Sequence, residues 1–260
     1  MSTWPLIAKN LVDQPTLDRL AAIFEEGIEA GVDGGRKTYH FKQLIAAGRK
    51  DIADRAVSAF APGPADGMAR QIFGGDYVFL LAACVYRCHE PYRRDTHLGL
   101  HFDANVFGQD ALVVNFWIPF DTVGERAPGL TYIRSDIDVA PLVEQWRRSR
   151  LEPQAENGSG PKIRFSPDEV AATLGVPLDD VLFTPKLGPG DASIFHQFVI
   201  HGTQLIEVDE QPRRSFEMRV CAANKIPHAY IERGDPIVIA RRTASGTQEL
   251  EFRERATADG

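Results

Sequence analysis

Two residues able to bind a metal stand two residues apart in LGLHFDANV, His101 and Asp103. On a strand alternate side chains share a face, so this imidazole and carboxylate project together. A third ligand should come from a separate, later strand, and GPGDASIFHQFVIHGT offers His196 and His201. They are five residues apart, so on one regular strand they face opposite ways and only one can join the pair. His201 is favoured, because Gly202 and Thr203 follow it and end the strand where a turn opens towards a barrel mouth. His196 follows Ile194 and Phe195 and reads as a packed or outward residue. Two neutral imidazoles and one carboxylate form the facial set that holds non-haem Fe(II) with open positions opposite. Zinc accepts the same donors, whereas Ca2+ and Mg2+ prefer oxygen shells.

Arg213 follows His201 by twelve residues, in QPRRSFEMRV. On a strand Arg213, Ser215, Glu217 and Arg219 share one face, and Arg214, Phe216, Met218 and Val220 share the other. Either the charged row faces solvent, or Arg213 and Ser215 enter the barrel mouth and grip a carboxylate with a guanidinium fork and a hydroxyl. The metal pattern favours the second reading. Arg214 is the alternative clamp if a strand irregularity swaps the faces. Cys84, Cys88 and His89 form C-x3-C-H, but no second Cys/His pair of matching spacing follows. They read as thiols without a structural zinc, and His40, His89 and His228 read as structural.

These side chains need a scaffold. A chain of 260 residues, 43% hydrophobic, suits one sizeable domain. Residues 15–30 put Leu17, Leu20, Ala21, Phe24 and Ile28 on one helical stripe, with Thr16 as N-cap and Gly31 as stop. A second helix is predicted over 42–60, and APGPADG at 61–67 breaks the chain. From about residue 70, short runs rich in β-branched and aromatic residues alternate with Gly, Pro and Asp clusters, the pattern of an all-β sandwich or barrel. Residues 136–186 interrupt it with little strand signal. There a helix is predicted at 142–150, and Ser166, Pro167 and Glu169 open another with a capping box. Long insertions of this kind often act as lids or substrate walls. The predicted organisation is one domain over 1–260, with a helical part at 1–65, a core at 70–225 that carries the insertion, and an extension at 226–260.

A net charge of −7 and a pI near 5.5 give no bulk attraction to nucleic acid or anionic membranes. No apolar run is long enough to span a bilayer. Three cysteines and a start unlike a signal peptide predict a reduced, cytoplasmic protein. Nothing in the sequence separates a monomer from a homodimer.

Taken together, these motifs resemble those of the Fe(II)/2-oxoglutarate-dependent dioxygenases, most closely the phytanoyl-CoA dioxygenase-like branch. H-F-D at 101–103 is similar to the family's H-x-D. GPGDASIF…IHGT at 188–203 resembles its Gly-Asp turn, strand and distal histidine, again selecting His201. R-x-S at 213–215 resembles its carboxylate clamp, and APGLTYIRSD at 127–136 its loop after the central strand, with Asp136 where histidine is common. The likeness spans roughly 75–225. It implies a mainly β fold with flanking helices, a double-stranded β-helix (jelly roll, cupin-like). It implies Fe(II) on His101, Asp103 and His201, and 2-oxoglutarate as co-substrate with Arg213 and Ser215 on its distal carboxylate. It also implies that Asn115 and Trp117 line that pocket and that O2 is the oxidant. The implied activity is hydroxylation of an unactivated C–H bond of a small molecule, releasing succinate and CO2. Relatives that halogenate carry Gly or Ala in place of the carboxylate ligand, so Asp103 favours hydroxylation, or a desaturation or epimerisation variant. Candidate substrate-wall residues are Tyr86, Arg93, Arg94, Asp95 and His97 before the motif, and Arg126 and Arg134 after it. The basic YRRDTH is either a solvated surface run or a flank of the mouth that suits an anionic or zwitterionic substrate. Two other classes compete: a non-catalytic or sensory cupin-like module that binds metal and a small acid, and a Zn- or Mn-dependent isomerase or hydrolase on the same barrel.

Overall fold

The alternating apolar runs pair into two antiparallel sheets in the computed structural model, which describes residues 4–92, 97–151 and 164–256. In chain order the strands are β1 (Leu6–Ala8), β2 (Tyr39–His40), β3 (Tyr77–Leu80), β4 (Val85–His89), β5 (Leu100–His101), β6 (Val113–Pro119) and β7 (Leu130–Ile133). They continue with β8 (Arg164–Phe165), β9 (Leu182–Phe183), β10 (Ala192–His196), β11 (His201–Thr203), β12 (Arg213–Ala222), β13 (Ile237–Arg242) and β14 (Gln248–Arg253). The larger sheet runs β1-β10-β6-β12-β3-β13-β14, with β4 also paired to β12 and β2 to β4. The smaller sheet runs β8-β5-β11-β7-β9. Trp117, Tyr132 and Phe195 pack between the two sheets. The Tyr132 hydroxyl is 2.7 Å from Ser193 Oγ across the gap. This is the mainly β, helix-flanked architecture expected from the sequence.

The outer face of the larger sheet is apolar. Phe79, Phe116, Phe216, Met218 and Val220 pack there against Leu17, Leu20 and Phe24 of helix Gln14–Glu29 and against Val57 and Phe60 of helix Lys50–Phe60. The Phe216 ring lies 5.7 Å from Phe24, 5.6 Å from Phe60 and 5.4 Å from Phe120. Each such side chain removed from water contributes about 1.5–3 kcal/mol.

Several local expectations are corrected. Asp13, not Thr16, caps the first helix, its Oδ1 accepting the Thr16 N–H at 2.9 Å. The predicted helix over 42–60 is two helices, Phe41–Ala46 and Lys50–Phe60, divided where Gly48 takes φ 72°. The stretch at 61–67 does not only break the chain. It starts helix Pro64–Phe73, because proline's fixed φ suits a first helical position. Within the insertion the expected helix spans Ala140–Leu151, and the capping box of Ser166 and Glu169 opens helix Pro167–Leu174. The same insertion supplies β8 and β9, two-residue strands too short to leave a periodic signal, which form both edges of the smaller sheet. No helix among the described residues is long and apolar enough to cross a membrane.

Candidate active site

His101 and His201 meet because β5 and β11 pair with these two residues directly opposite each other. Their ring centroids are 4.4 Å apart. Gly202 permits this close pairing, since a Cβ there would lie 3.0 Å from the backbone of Gly99 and Leu100. The stretch 188–203 is not one strand: β10 belongs to the larger sheet and β11 to the smaller. His201 therefore begins a strand rather than ending one. His196, on β10, lies edge-on to Trp4 with centroids 5.2 Å apart.

Asp103 joins the histidines by a route the strand reading did not anticipate. β5 stops at His101, and Asp103 takes φ −74°, ψ −15° at the N-cap of the short helix Ala104–Phe107. A turn, not strand alternation, thus delivers the carboxylate. Nε2 of His101 is 3.5 Å from Asp103 Oδ1. One ligand atom from each of His101, Asp103 and His201 lies within 4.8 Å of the others.

The surroundings prepare these groups for a cation. Nδ1 of His101 is 2.8 Å from the Gly99 carbonyl, and Nδ1 of His201 is 3.0 Å from that of Val199. A carbonyl only accepts, so each Nδ1–H donates, and in the neutral ring it is Nε2 that carries the free lone pair. Burial pushes the His201 pKa down to about 4, reinforced by the neighbouring His101. Asn115 Nδ2 donates to Asp103 Oδ2 at 2.7 Å, and Arg219 Nε donates to Asn115 Oδ1 at 2.9 Å. Arg219 Nη2 donates to Glu217 Oε2 at 2.7 Å, and Arg87 Nε to Glu217 Oε1 at 2.8 Å. Burial alone would raise the Asp103 pKa. The Arg219 charge outweighs it and holds the carboxyl well below its usual range. Burial is likewise overcome at Glu217, where Arg87 and Arg219 bring the pKa to about 2. Two imidazoles and an ionised carboxylate that converge in this way fit a borderline divalent ion such as Fe(II) or Zn(II).

β12 sends Arg213, Ser215, Glu217 and Arg219 inwards, and all four are buried, so the charged row does not face solvent. Arg213 Nη1 donates to the carbonyls of Pro128 at 2.6 Å and Gly129 at 3.2 Å. Its guanidinium lies 5.3 Å from the Trp117 ring centroid. Burial lowers its pKa to about 10, so it stays charged at neutral pH. Arg213 Nε, Ser215 Oγ and Trp117 Nε1 are buried without a hydrogen-bond partner among the described residues. A buried donor left unpaired costs about 1–3 kcal/mol, so three on the paired strands β6 and β12 fit an acceptor such as a carboxylate. Arg214 faces the other way and binds Asp121 at 2.9 Å.

A cleft of about 20 Å3 lies among His101, His201, Arg213, Glu217 and Arg219. That is room for about one water. Arg87 and Leu98 border it and also line two larger cavities, of about 480 Å3 and 590 Å3. The 480 Å3 cavity reaches His101 and Asp103 and is rimmed by Lys42, Arg164 and Arg233.

The proposed substrate wall fares less well. Tyr86 is in the wrong layer: it stacks on Phe24 with centroids 4.8 Å apart, in the core beneath the helices. The register explains this, because Tyr86 pairs with outward Phe216 while Arg87 pairs with inward Ser215. Arg134 is exposed and binds Asp136 at 2.9 Å, away from the residues that line these cavities. Arg126 lines a separate surface cavity. Arg94, with Arg93 and Asp95, lies outside the described residues. His97 is not at the triad; its ring centroid lies 4.7 Å from that of His89. Sequence reasoning missed Arg87, Glu217 and Arg219 as site residues. Strand parity marked the last two, whereas Arg87 required the pairing of β4 with β12.

No protein-family model matches the chain, and no curated protein matches it either. Solved structures do. HygX from Streptomyces hygroscopicus, with nickel and 2-oxoglutarate bound, superposes with a TM-score of 0.53 at 13% identity, over 85% of this chain and 83% of that one. SnoN, a non-haem α-ketoglutarate-dependent epimerase from nogalamycin biosynthesis, was solved with Fe3+, α-ketoglutarate and nogalamycin RO. That complex superposes with a TM-score of 0.51 at 15% identity, over 98% of this chain and 91% of that one. AviO1 from Streptomyces viridochromogenes Tue57 gives a TM-score of 0.51 at 17% identity, over 84% and 89%. At these identities the likeness is one of fold: the chain has the double-sheet architecture on which non-haem α-ketoglutarate-dependent enzymes such as SnoN are built.

Proposed function

We propose that the chain is a non-haem Fe(II)/2-oxoglutarate-dependent oxygenase, akin to the phytanoyl-CoA dioxygenase-like branch, that hydroxylates an unactivated C–H bond of a small anionic molecule. The observation that carries this reading is the joint lining of one cleft by the His101 and His201 imidazoles and the Arg213 guanidinium. A metal site alone would suit many chemistries; a buried cation clamp beside it suits a chelating dicarboxylate. Bound iron and 2-oxoglutarate would supply, with O2, the oxidising power that breaks the C–H bond and yields succinate and CO2.

The chain's own groups account for the rest. His101, His201 and Asp103 would hold the ion, with Asn115 occupying Asp103 Oδ2 and so reserving Oδ1. Arg213 Nε, Ser215 Oγ and Trp117 Nε1 supply donors for a distal carboxylate. Three inward guanidinium groups, Arg87, Arg213 and Arg219, face two carboxylates, Asp103 and Glu217. The excess of positive charge, increased by a divalent ion, matches a dianion. About 20 Å3 does not admit that dianion, so its binding requires the lining of the cleft to move. The 480 Å3 cavity is of ordinary ligand size, and its Lys42, Arg164 and Arg233 favour an anionic substrate. Phe107 and Leu98 are among its apolar lining residues.

The test is succinate formation from 2-oxoglutarate, measured with Fe(II) and O2 across a library of small carboxylates and phosphates. Product analysis by mass separates oxygen insertion from epimerisation, which adds no mass. The native chain should release succinate and its His201→Ala variant should not; equal release by both would remove His201 from the site.

A further inference from the structure

A second convergent cluster lies beside the first. His89 ends β4, His97 precedes β5, and Glu210 precedes β12. Nε2 of His89 is 3.0 Å and Nε2 of His97 is 3.4 Å from the same oxygen, Oε1 of Glu210. One ligand atom from each residue lies within 4.8 Å of the others. The side chains are 3%, 7% and 0% exposed, in the order His89, His97, Glu210. Oε2 of Glu210 is engaged elsewhere, accepting the Tyr92 backbone N–H, so Oε1 is the oxygen turned to the imidazoles.

We propose that His89, His97 and Glu210 form a second divalent-cation site, suited to zinc and distinct from the His101–Asp103–His201 group. Two imidazoles and one carboxylate are an established zinc donor set that leaves a fourth position for water. Bonds of about 2.0–2.1 Å in a tetrahedron hold ligand atoms about 3.3 Å apart. The observed 3.0 and 3.4 Å fall on either side of that spacing. The site does not depend on the oxygenase reading. Its placement gives it a role nonetheless. His97 precedes His101 by four residues and Glu210 precedes Arg213 by three, so one ion would tie together the segments that deliver the first triad and the guanidinium. The unmatched C-x3-C-H run thus contributes its histidine to a zinc site, with partners distant in sequence and without its cysteines.

Zinc content after dialysis against buffered zinc tests this. The native chain should retain about two zinc ions, and the chain carrying His101→Ala and His201→Ala about one. His97→Ala or Glu210→Gln should each remove one ion from the native chain, and in the triad-deficient chain should leave none. Glu210→Gln keeps the side-chain shape and an acceptor for Tyr92, so a folded variant is available even if His97→Ala is not. Zinc should also raise the Tm of the triad-deficient chain, and not of that chain with Glu210→Gln. A triad-deficient chain without bound zinc, or zinc content unchanged by Glu210→Gln, would overturn the proposal.

Discussion

The two faces of β12 are both buried, and they are built oppositely. Phe216, Met218 and Val220 meet the apolar sides of two helices, where every contact adds stability. Arg213, Ser215, Glu217 and Arg219 meet the smaller sheet, where desolvation of charge has to be offset by hydrogen bonds and ion pairs. Replacing such a row by apolar residues of similar volume is often neutral or stabilising. A strand that keeps four polar groups inside, with donors on Arg213 and Ser215 still unpaired, is therefore shaped by something other than stability.

Substitutions on each face should separate the two roles. Phe216→Ala, which empties the space among Phe24, Phe60 and Phe120, should cost about 3–5 kcal/mol in denaturant unfolding. Its folded fraction should turn over 2-oxoglutarate normally. Arg213→Leu should do the reverse. It should raise the KM for 2-oxoglutarate about 100-fold, through loss of charge-assisted hydrogen bonds, while costing no more than about 1–2 kcal/mol of stability. If Arg213→Leu destabilises as much as Phe216→Ala and leaves the KM unchanged, the contrast between the faces collapses. The smallest effect is expected one step further from the metal. Asn115→Ala frees Asp103 Oδ2 and should weaken Fe(II) affinity by about 10–100-fold, read by competition with a chromogenic chelator.

How far the sequence revealed this depended on the range of the interaction. Period-two alternation exposed the two faces of β12, and H-x-D identified a pair of converging groups. Yet the geometry behind that pair was different, because the strand ends at His101 and a turn carries Asp103. Likewise His196 and His201 were separated by parity along one strand, whereas the chain changes sheets between them. What depended on register was not legible. Whether Tyr86 or Arg87 looks inward is decided by which β12 residue each one opposes. The edge strands β8 and β9, of two residues each, are held by their neighbours rather than by propensity. Glu210 carried no local motif at all, and only the fold brings it to two histidines, one of them at the end of β4.

The most direct test of the central claim is calorimetric titration of 2-oxoglutarate into the anaerobic protein, with and without Fe(II). The account predicts one 2-oxoglutarate per chain, bound at least about tenfold more tightly when Fe(II) is present, because metal and co-substrate are coupled. Affinity that is the same with and without the metal would contradict it.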